Sequence, residues 1–378
     1  MVDVLVVGAG PAGSIAAWRL ARAGARVMLV DRERFPRHKL CGDTLNPGAV
    51  ALLESLSLGG GPIEQGLAIA GMLVTGPRAR VEARYGNGVS GRAVERRVLD
   101  SWLIERAVAA GATVEDGVTV RDALVESTPA GNIVRGARVT TGGSPASVRI
   151  AARMTLAADG RASTMARALG LASYALSPRR WAYGTYASDV RGTSDLGEMH
   201  IRGKRYIGVA PVSSELCNVC VVSGDRLAGH KPIEIVRREI DADPELRERM
   251  AGARFEAPVS VLGPLAIASH GCGVDGLLLA GDAAGFVDPM TGDGLHLAMR
   301  GGLMAADEAL RVLESGDARG AVRRLGAARA EAFGHKLRFN RILRDLVERP
   351  AAVTAAAWTA RVAPSAVRWA VRYAGDAA

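Results

Sequence analysis

The sequence predicts an α/β fold: a Rossmann-like parallel sheet carrying an inserted antiparallel sheet and ending in a helical tail. Three observations predict it. The first 31 residues run through strand, glycine turn, helix and second strand without interruption. Residues 181–223 hold four strand-like runs with turn signals between them and no helical pattern, as an antiparallel sheet separate from the parallel one reads. From Leu295 to Ala374 the pattern is helical, with interruptions at Pro350 and Pro364.

In the opening unit, Val2, Val4, Leu5, Val6 and Val7 make a nearly all-apolar run, expected of a strand buried on both faces. Gly8-Ala9-Gly10-Pro11-Ala12-Gly13 follows. Ser14 to Gly24 then places Ile15, Ala16, Leu20 and Ala23 at helical spacing, and Arg26 to Val30 is a second apolar strand ending at Asp31. In a G-x-G-x-x-G turn so placed, Gly8 permits the tight turn, Gly10 lets backbone approach a pyrophosphate, and Gly13 lets helix and strand pack closely. Unpaired N–H groups and the dipole at the helix start favour that negative charge. Asp31, 18 residues beyond Gly13, stands at a strand tip where its carboxylate can accept bonds from both hydroxyls of an adenosine ribose. The unit reads as dinucleotide-binding.

Beyond it, Arg34 to Asp43 is a polar loop and Pro47 to Leu56 a helix, broken by Gly59-Gly60-Gly61-Pro62. Leu67 to Val74 and Arg78 to Tyr85 read as strands about a Gly76-Pro77 turn. Ala93 to Ala110 is helical, with Val94, Leu99, Leu103 and Ala107 on one face, and Ala112 to Val120 returns as a strand. Ile133 to Val139 and Ser147 to Ile150 read as a small antiparallel excursion, and Arg153 to Ala158 as a further buried strand running into Asp159-Gly160. Trp181 to Val190, Gly197 to Ile201, Tyr206 to Pro211 and Leu216 to Ser223 form the second sheet. Pro232 to Ala251 is helical with a stop near Asp243-Pro244. Gly276 to Ala280 is the last parallel-type strand, ended by Gly281-Asp282, and a long helix runs from Leu295 to about Ser315.

A chain of 378 residues has room for two cores, and no stretch reaches the roughly 20 apolar residues that span a bilayer. Because the N-terminus is already a strand, a cytoplasmic location is expected. Cys41, Cys217, Cys220 and Cys272 are too few and scattered for a disulfide framework. Cys217 and Cys220, three apart on a strand, should face opposite ways, and no two histidines have metal-ligand spacing, so no metal is expected. The net charge of +9 concentrates at the end: residues 316–378 hold 12 Lys and Arg against 5 Asp and Glu, +7 of the total. No aromatics interleave there as on a nucleic-acid platform. A basic tail suits an anionic membrane surface, an acidic carrier protein, or a solvated helix face. Trp369 and Tyr373 share one face of that tail, as do Arg368 and Arg372, so it either rests on a membrane, closes over an apolar substrate, or packs on the core.

Three motifs stand in fixed order: Gly8 to Gly13, Asp159-Gly160 with Ser163 and Arg167, and Leu279 to Ala284 followed by Asp288-Pro289. Together they resemble the flavoprotein superfamily of aromatic hydroxylases, flavin-dependent halogenases and geranylgeranyl reductases, over essentially the whole chain. The resemblance implies a Rossmann-like FAD-binding domain of the glutathione reductase type in residues 1–62, 93–175 and 258–315. It implies a substrate domain in 63–92 and 176–257, with a helical region in 316–378. FAD follows from it, with NADPH or NADH as electron donor. Gly8, Gly10, Pro11, Ala12 and Gly13 would hold the pyrophosphate, Asp31 the ribose, and Arg32 would lie beside the adenine. Arg96, rather than Arg97, would reach phosphate or ribityl oxygens, and Val120, at the end of its strand, would offer backbone to the adenine. Asp159 and Gly160 match a motif serving flavin and nicotinamide, with Asp159 also holding the local turn. Gly281 and Asp282 would meet a ribityl hydroxyl. Pro289, Gly292 and Gly294 would bring backbone to the ring, at which the helix starting at Leu295 aims its positive end, favouring the reduced state.

Arg37 to Asp43 resembles the Cys-Gly segment that geranylgeranyl-type reductases carry beside the flavin, which places Cys41 and Gly42 there. Cys41 is then either a proton donor to carbon or a small packed residue. Tyr206 to Pro211 lacks the Trp and Phe usual before that proline, and Trp181-Ala182-Tyr183 does not supply the Trp-x-Trp of the halogenases, whose active-site lysine Lys39 matches only out of context. The leading expectation is therefore a single-component monooxygenase that hydroxylates or epoxidises a hydrophobic biosynthetic substrate held near Trp181 to Val222. An FAD-dependent alkene reductase or dehydrogenase on a lipid or carrier-bound chain comes second, a halogenase third, and a non-catalytic escort-type binding protein is the alternative from another class. His38 and His296 lie near flavin segments as candidate acids or bases; His200, His230, His270 and His335 read as surface or turn residues.

Overall fold

The computed structural model describes residues 1–377 except 87, 130, 143–145, 176–178, 225–229 and 257. Val2–Val7 lies near the middle of its sheet, in parallel register with Ser147–Ala157 on one side and Val27–Val30 on the other, so that Val6 faces Leu156 and Leu29. Thr113–Glu115 extends the sheet beyond Val27–Val30, and Leu277–Leu279 then Gly273–Val274 extend it beyond Ser147–Ala157. Alternation divides the first strand between two cores. Val4 and Val6 join the helices Pro11–Arg22, Arg96–Ala109 and Gly294–Ser315, while Leu5 and Val7 join the opposite core with Val120, Val139 and Met165.

Two strands depart from the sequence reading. Ser147–Ala157 is one strand, not two: its first half pairs antiparallel with Gly131–Thr141 and its second half parallel with Val2–Val7. Its two halves have different surroundings, exposed then buried, and so read as separate runs. Ala112 to Val120 breaks at Gly117, whose positive φ of 69° ends one strand at Glu115 and starts Val118–Thr128. Val120 is consequently the third residue of a strand, opposite Val139, and not at a strand end.

The second sheet runs Arg254–Phe255, Trp181–Ser188, Leu216–Ser223, Arg205–Pro211, Leu196–Arg202, Gly71–Gly76 and Ala79–Arg84, with Ser260–Leu262 also on Trp181–Ser188. All pairings are antiparallel except Leu196–Arg202 with Gly71–Gly76. That exception joins strands far apart in the chain: Arg96–Ala109 and the parallel-sheet strands Thr113–Glu115 and Ser147–Ala157 lie between them. Leu67 to Val74 also divides. Leu67–Ile69 joins Gly91–Ala93 and Thr44–Leu45 in a three-stranded sheet, and at Gly71, where a Cβ would stand 2.2 Å from the Ala83 carbonyl oxygen, the chain enters the large sheet. One face of that sheet, bearing Cys217, packs on the helices Pro232–Asp241 and Pro244–Arg249. The other face, bearing Tyr206 and Cys220, turns toward Leu40, Phe286 and Met290 of the parallel domain.

Three helices close the chain: Ala318–Val347, Pro350–Val362 and Pro364–Ala374. The last lies along the edge strand Ala79–Arg84, where Arg368 and Arg372 donate from Nε to the Glu82 and Arg84 carbonyls at 3.4 and 3.0 Å. Capping an edge this way removes acceptors that would otherwise template another strand. Among the described residues, no helix is long and apolar enough to cross a membrane, and no three His, Cys, Asp or Glu side chains are grouped to hold a metal.

Candidate active site

Two helix starts converge on one groove. Gly10 caps Pro11–Arg22 without a side chain, so the N–H groups of Ala12 and Gly13 face outward unsatisfied. A Cβ on Gly13 would stand 1.8 Å from the Gly8 carbonyl oxygen, and one on Gly8, at φ 99°, 2.5 Å from the Ala158 oxygen; at Gly10 only the Arg37 guanidinium comes within 4 Å. Two glycines are thus required for packing and the third leaves room for a ligand. Gly281, at φ 58°, packs on the Ala12 methyl, which places Asp282 at the same helix start. The Gly294–Ser315 helix is likewise uncapped: the Asp293 carboxylate is taken up by Thr291 Oγ1 at 2.7 Å and Asn340 Nδ2 at 3.1 Å. Gly292 and Gly294 have open space where a Cβ would lie.

Asp31 accepts from the Ala9 N–H at 2.7 Å and the Glu33 N–H at 2.9 Å, so its carboxylate shapes the glycine turn as well as standing at the strand tip. Arg32 points into solvent and pairs with Glu33. Arg96 is buried, held bidentately by Asp100 at 2.9 and 2.8 Å, whereas Arg97 is half exposed on Glu95. Burial works against the Arg96 charge, but Asp100 outweighs it and keeps the guanidinium firmly protonated. Arg37 shares Asp100, at 3.2 Å.

The turn that carries Cys41 and Gly42 is clasped by the second sheet. Asn218 Nδ2 donates to the Cys41 carbonyl and to Asp43 Oδ2, both at 2.8 Å; Tyr186 donates to the same carboxylate at 2.7 Å, and the Arg96 N–H to Asp43 Oδ1 at 3.0 Å. Burial pushes the Cys41 thiol above its ordinary value, with Arg96 opposing, so it stays protonated at neutral pH. Burial also raises Asp43, against its three donors.

Asp282 has no hydrogen-bond donor among the described residues; burial raises its pKa while Lys39, Arg161 and Arg96 pull it down. Lys39 reaches the opposite wall, 3.8 Å from where a Cβ on Gly160 would stand, and it too makes no hydrogen bond among the described residues. Asp159 holds its turn through the Thr164 N–H at 3.2 Å, while its Oδ1 is buried without a partner. These residues fit FAD. A buried acceptor without a donor, a facing ammonium without an acceptor, glycines with open space and two uncapped helix starts match ribityl hydroxyls, phosphates and a polar ring edge.

Some functional positions lie beyond local sequence. Asp288, seen only as half of a motif, is the centre of a buried network: Arg180 Nη1 donates to it at 3.0 Å and Tyr206 at 2.6 Å. Arg180 also donates to Glu348 at 2.7 Å and to the Arg344 carbonyl at 3.0 Å, tying the loop before Pro289 to the second sheet and the last helices. His200 is not at the surface as its sequence context predicts. It is fully buried, bonded to Thr75 at 2.9 Å and to Glu198 at 2.8 Å, which Arg249 clamps in turn. His296, expected near the flavin, is occupied by Asp376 at 2.7 Å.

A family model described as FAD binding domain matches residues 1–337. Digeranylgeranylglycerophospholipid reductase 1 of Methanopyrus kandleri is 32% identical over 332 residues, covering 83% of this chain and 82% of that protein. Menaquinone reductase of Mycolicibacterium smegmatis is 31% identical over 319 residues, covering 81% and 75%. Among solved structures, a flavin-dependent brominase superimposes with a TM-score of 0.84 at 19% identity, covering 99% of this chain and 93% of its own, a likeness of fold.

Proposed function

From the premise that the chain belongs to the FAD binding domain family and is an FAD-dependent oxidoreductase, we propose that it reduces a carbon–carbon double bond in an isoprenoid lipid, with NADPH or NADH as electron donor. The observation that carries this reading is Cys41, a thiol kept protonated at the junction of the FAD groove and an apolar wall made by Leu40, Met199, Cys220, Phe286 and Met290. The names of the two relatives, both reductases and both on lipids, support the same direction over oxygen insertion.

Once bound and reduced by NADPH or NADH, FAD would supply the hydride chemistry at one carbon. The chain's own residues supply the rest. Cys41 gives its proton to the neighbouring carbon, so that one π bond is replaced by two C–H bonds, and the thiolate left behind faces Arg96 until it regains a proton from water. Asn218 and Asp43 fix the Cys41 backbone, and the apolar wall excludes water and orients the chain. Cys41→Ala tests the assignment. It is expected to retain one FAD per chain and to lose double-bond reduction by about 100-fold or more, the usual worth of a positioned general acid. Full activity in Cys41→Ala with normal FAD content would refute the role.

A further inference from the structure

The closing helices carry an outer surface that the edge-capping role does not explain. Four large apolar side chains on them stand mostly in solvent: Ile342 at 58%, Trp358 at 64%, Val362 at 60% and Trp369 at 56% exposure. Trp358, Arg361 and Val362 are spaced i, i+3, i+4 on the exposed side of Pro350–Val362. Arg338, Arg341 and Ile342 share the exposed side of the last turns of Ala318–Val347, and Arg349 follows just beyond. Trp369 stacks on Tyr373 at 5.2 Å and meets Phe339 edge-on at 6.4 Å, one turn before Ile342, so the third helix joins the same region.

The charges there are one-sided. Arg338, Arg341, Arg349 and Arg361 have no ion-pair partner among the described residues, whereas three acids of the same region are engaged, Asp345 by Arg344, Glu348 by Arg180, and Asp376 by Lys336 and His296. That leaves Glu331, two turns before Arg338, as the exposed acid on that helix without an ion pair among the described residues. Exposed tryptophan beside uncompensated arginine matches the boundary of an anionic lipid leaflet, where amphipathic rings sit among headgroups and each cation is attracted. The inner side of the same helices is continuous with the site, since Leu346 and Val347 pack into the apolar cluster of Tyr206, Cys220 and Met290.

We propose that this surface seats the protein on an anionic membrane and that a lipid substrate passes from the leaflet to the groove beside Leu346 and Val347. The passage rests on the isoprenoid reading above; the docking does not. The test uses FAD-loaded protein and sedimentation with sucrose-loaded vesicles of phosphatidylcholine, alone or mixed with phosphatidylglycerol. Sedimentation with the mixed vesicles, weakened by salt and slight with phosphatidylcholine alone, is expected. Arg338→Gln with Arg341→Gln should lower the partition roughly 25-fold, about fivefold per cation, and Trp358→Ser should lower it as well, all with unchanged FAD content.

These variants should reduce a detergent-dispersed isoprenoid lipid at the unmodified rate and a vesicle-embedded one more slowly. Failure to sediment with mixed vesicles, or variants that bind as well as the parent, would overturn the docking, including where the surface instead takes an acidic protein. Docking that holds while no isoprenoid is reduced in any form would leave the membrane surface standing and refute the reaction.

Discussion

At Gly13 a single methyl group would stand 1.8 Å from the Gly8 carbonyl oxygen, so Gly13→Ala must push the helix start away from the glycine turn. Overpacking of about 1–3 kcal/mol, if borne by the bound state, corresponds to an FAD affinity about fivefold to 150-fold weaker, to be measured by flavin fluorescence on titrating the apoprotein. An unchanged affinity would mean that the cofactor does not use this turn. Such residues are legible in sequence because their requirement is local: Gly8, Gly10 and Gly13 are fixed by the turn they make, and Arg96 differs from Arg97 only in which side of one helix it occupies. His200 was not legible. Thr75, which bonds it, and Arg249, which clamps its partner Glu198, are far along the chain and reach it only through strand pairing and through a helix packed on the same face of the sheet. The lone Lys39 carries no sequence signal either, because only the folded groove brings it near Asp282 and Gly160.

At the scale of elements, the end of the last helix is latched to the parallel domain. Gly48 donates its N–H to the Gly375 carbonyl at 3.1 Å, Asn46 Nδ2 donates to the Ala374 carbonyl at 3.2 Å, and Asp376 accepts from His296 and Lys336. Burial alone would raise Asp376, but the bonds from His296 and Lys336 outweigh it and hold the carboxyl below its ordinary 3.8. A lowered carboxyl stabilises the folded form above its unfolded value and loses that contribution as pH falls through the lower folded one. Below about 3.8 the latch is therefore expected to loosen, read as faster hydrogen exchange at the Gly48 amide relative to Val4 to Val7, and Asp376→Asn should abolish the difference. Equal acceleration of both regions in the parent and in Asp376→Asn would contradict it. The three closing helices were readable from their prolines and period, whereas their seat on Ala79–Arg84 was not, because a strand edge carries no side-chain signal of what covers it. Ser147–Ala157 shows the same limit: one strand with two partners has two patterns and no single period.

For the whole molecule, the order of the motifs along the chain foretold the α/β fold and the cofactor, since each motif marks the end of a strand in one parallel sheet. How the two sheets are fastened was not foretold. Arg180 and Tyr206 from the second sheet, Asp288 from the loop before Pro289, and Glu348 from the closing helices meet in one buried network whose members have no common spacing. That fastening sets the apolar wall of Met199, Cys220 and Met290 against Leu40, next to Cys41, and so makes the proposed choice of reaction a property of the assembled groove. The most direct test is a single turnover under argon with protein whose FAD has been reduced beforehand, mixed with a geranylgeranyl lipid and analysed by mass spectrometry. Addition of two hydrogens per double bond, with return of the oxidised flavin spectrum and no need for oxygen, is the predicted result. An unchanged lipid under argon that gains an oxygen atom once air is admitted would contradict the account.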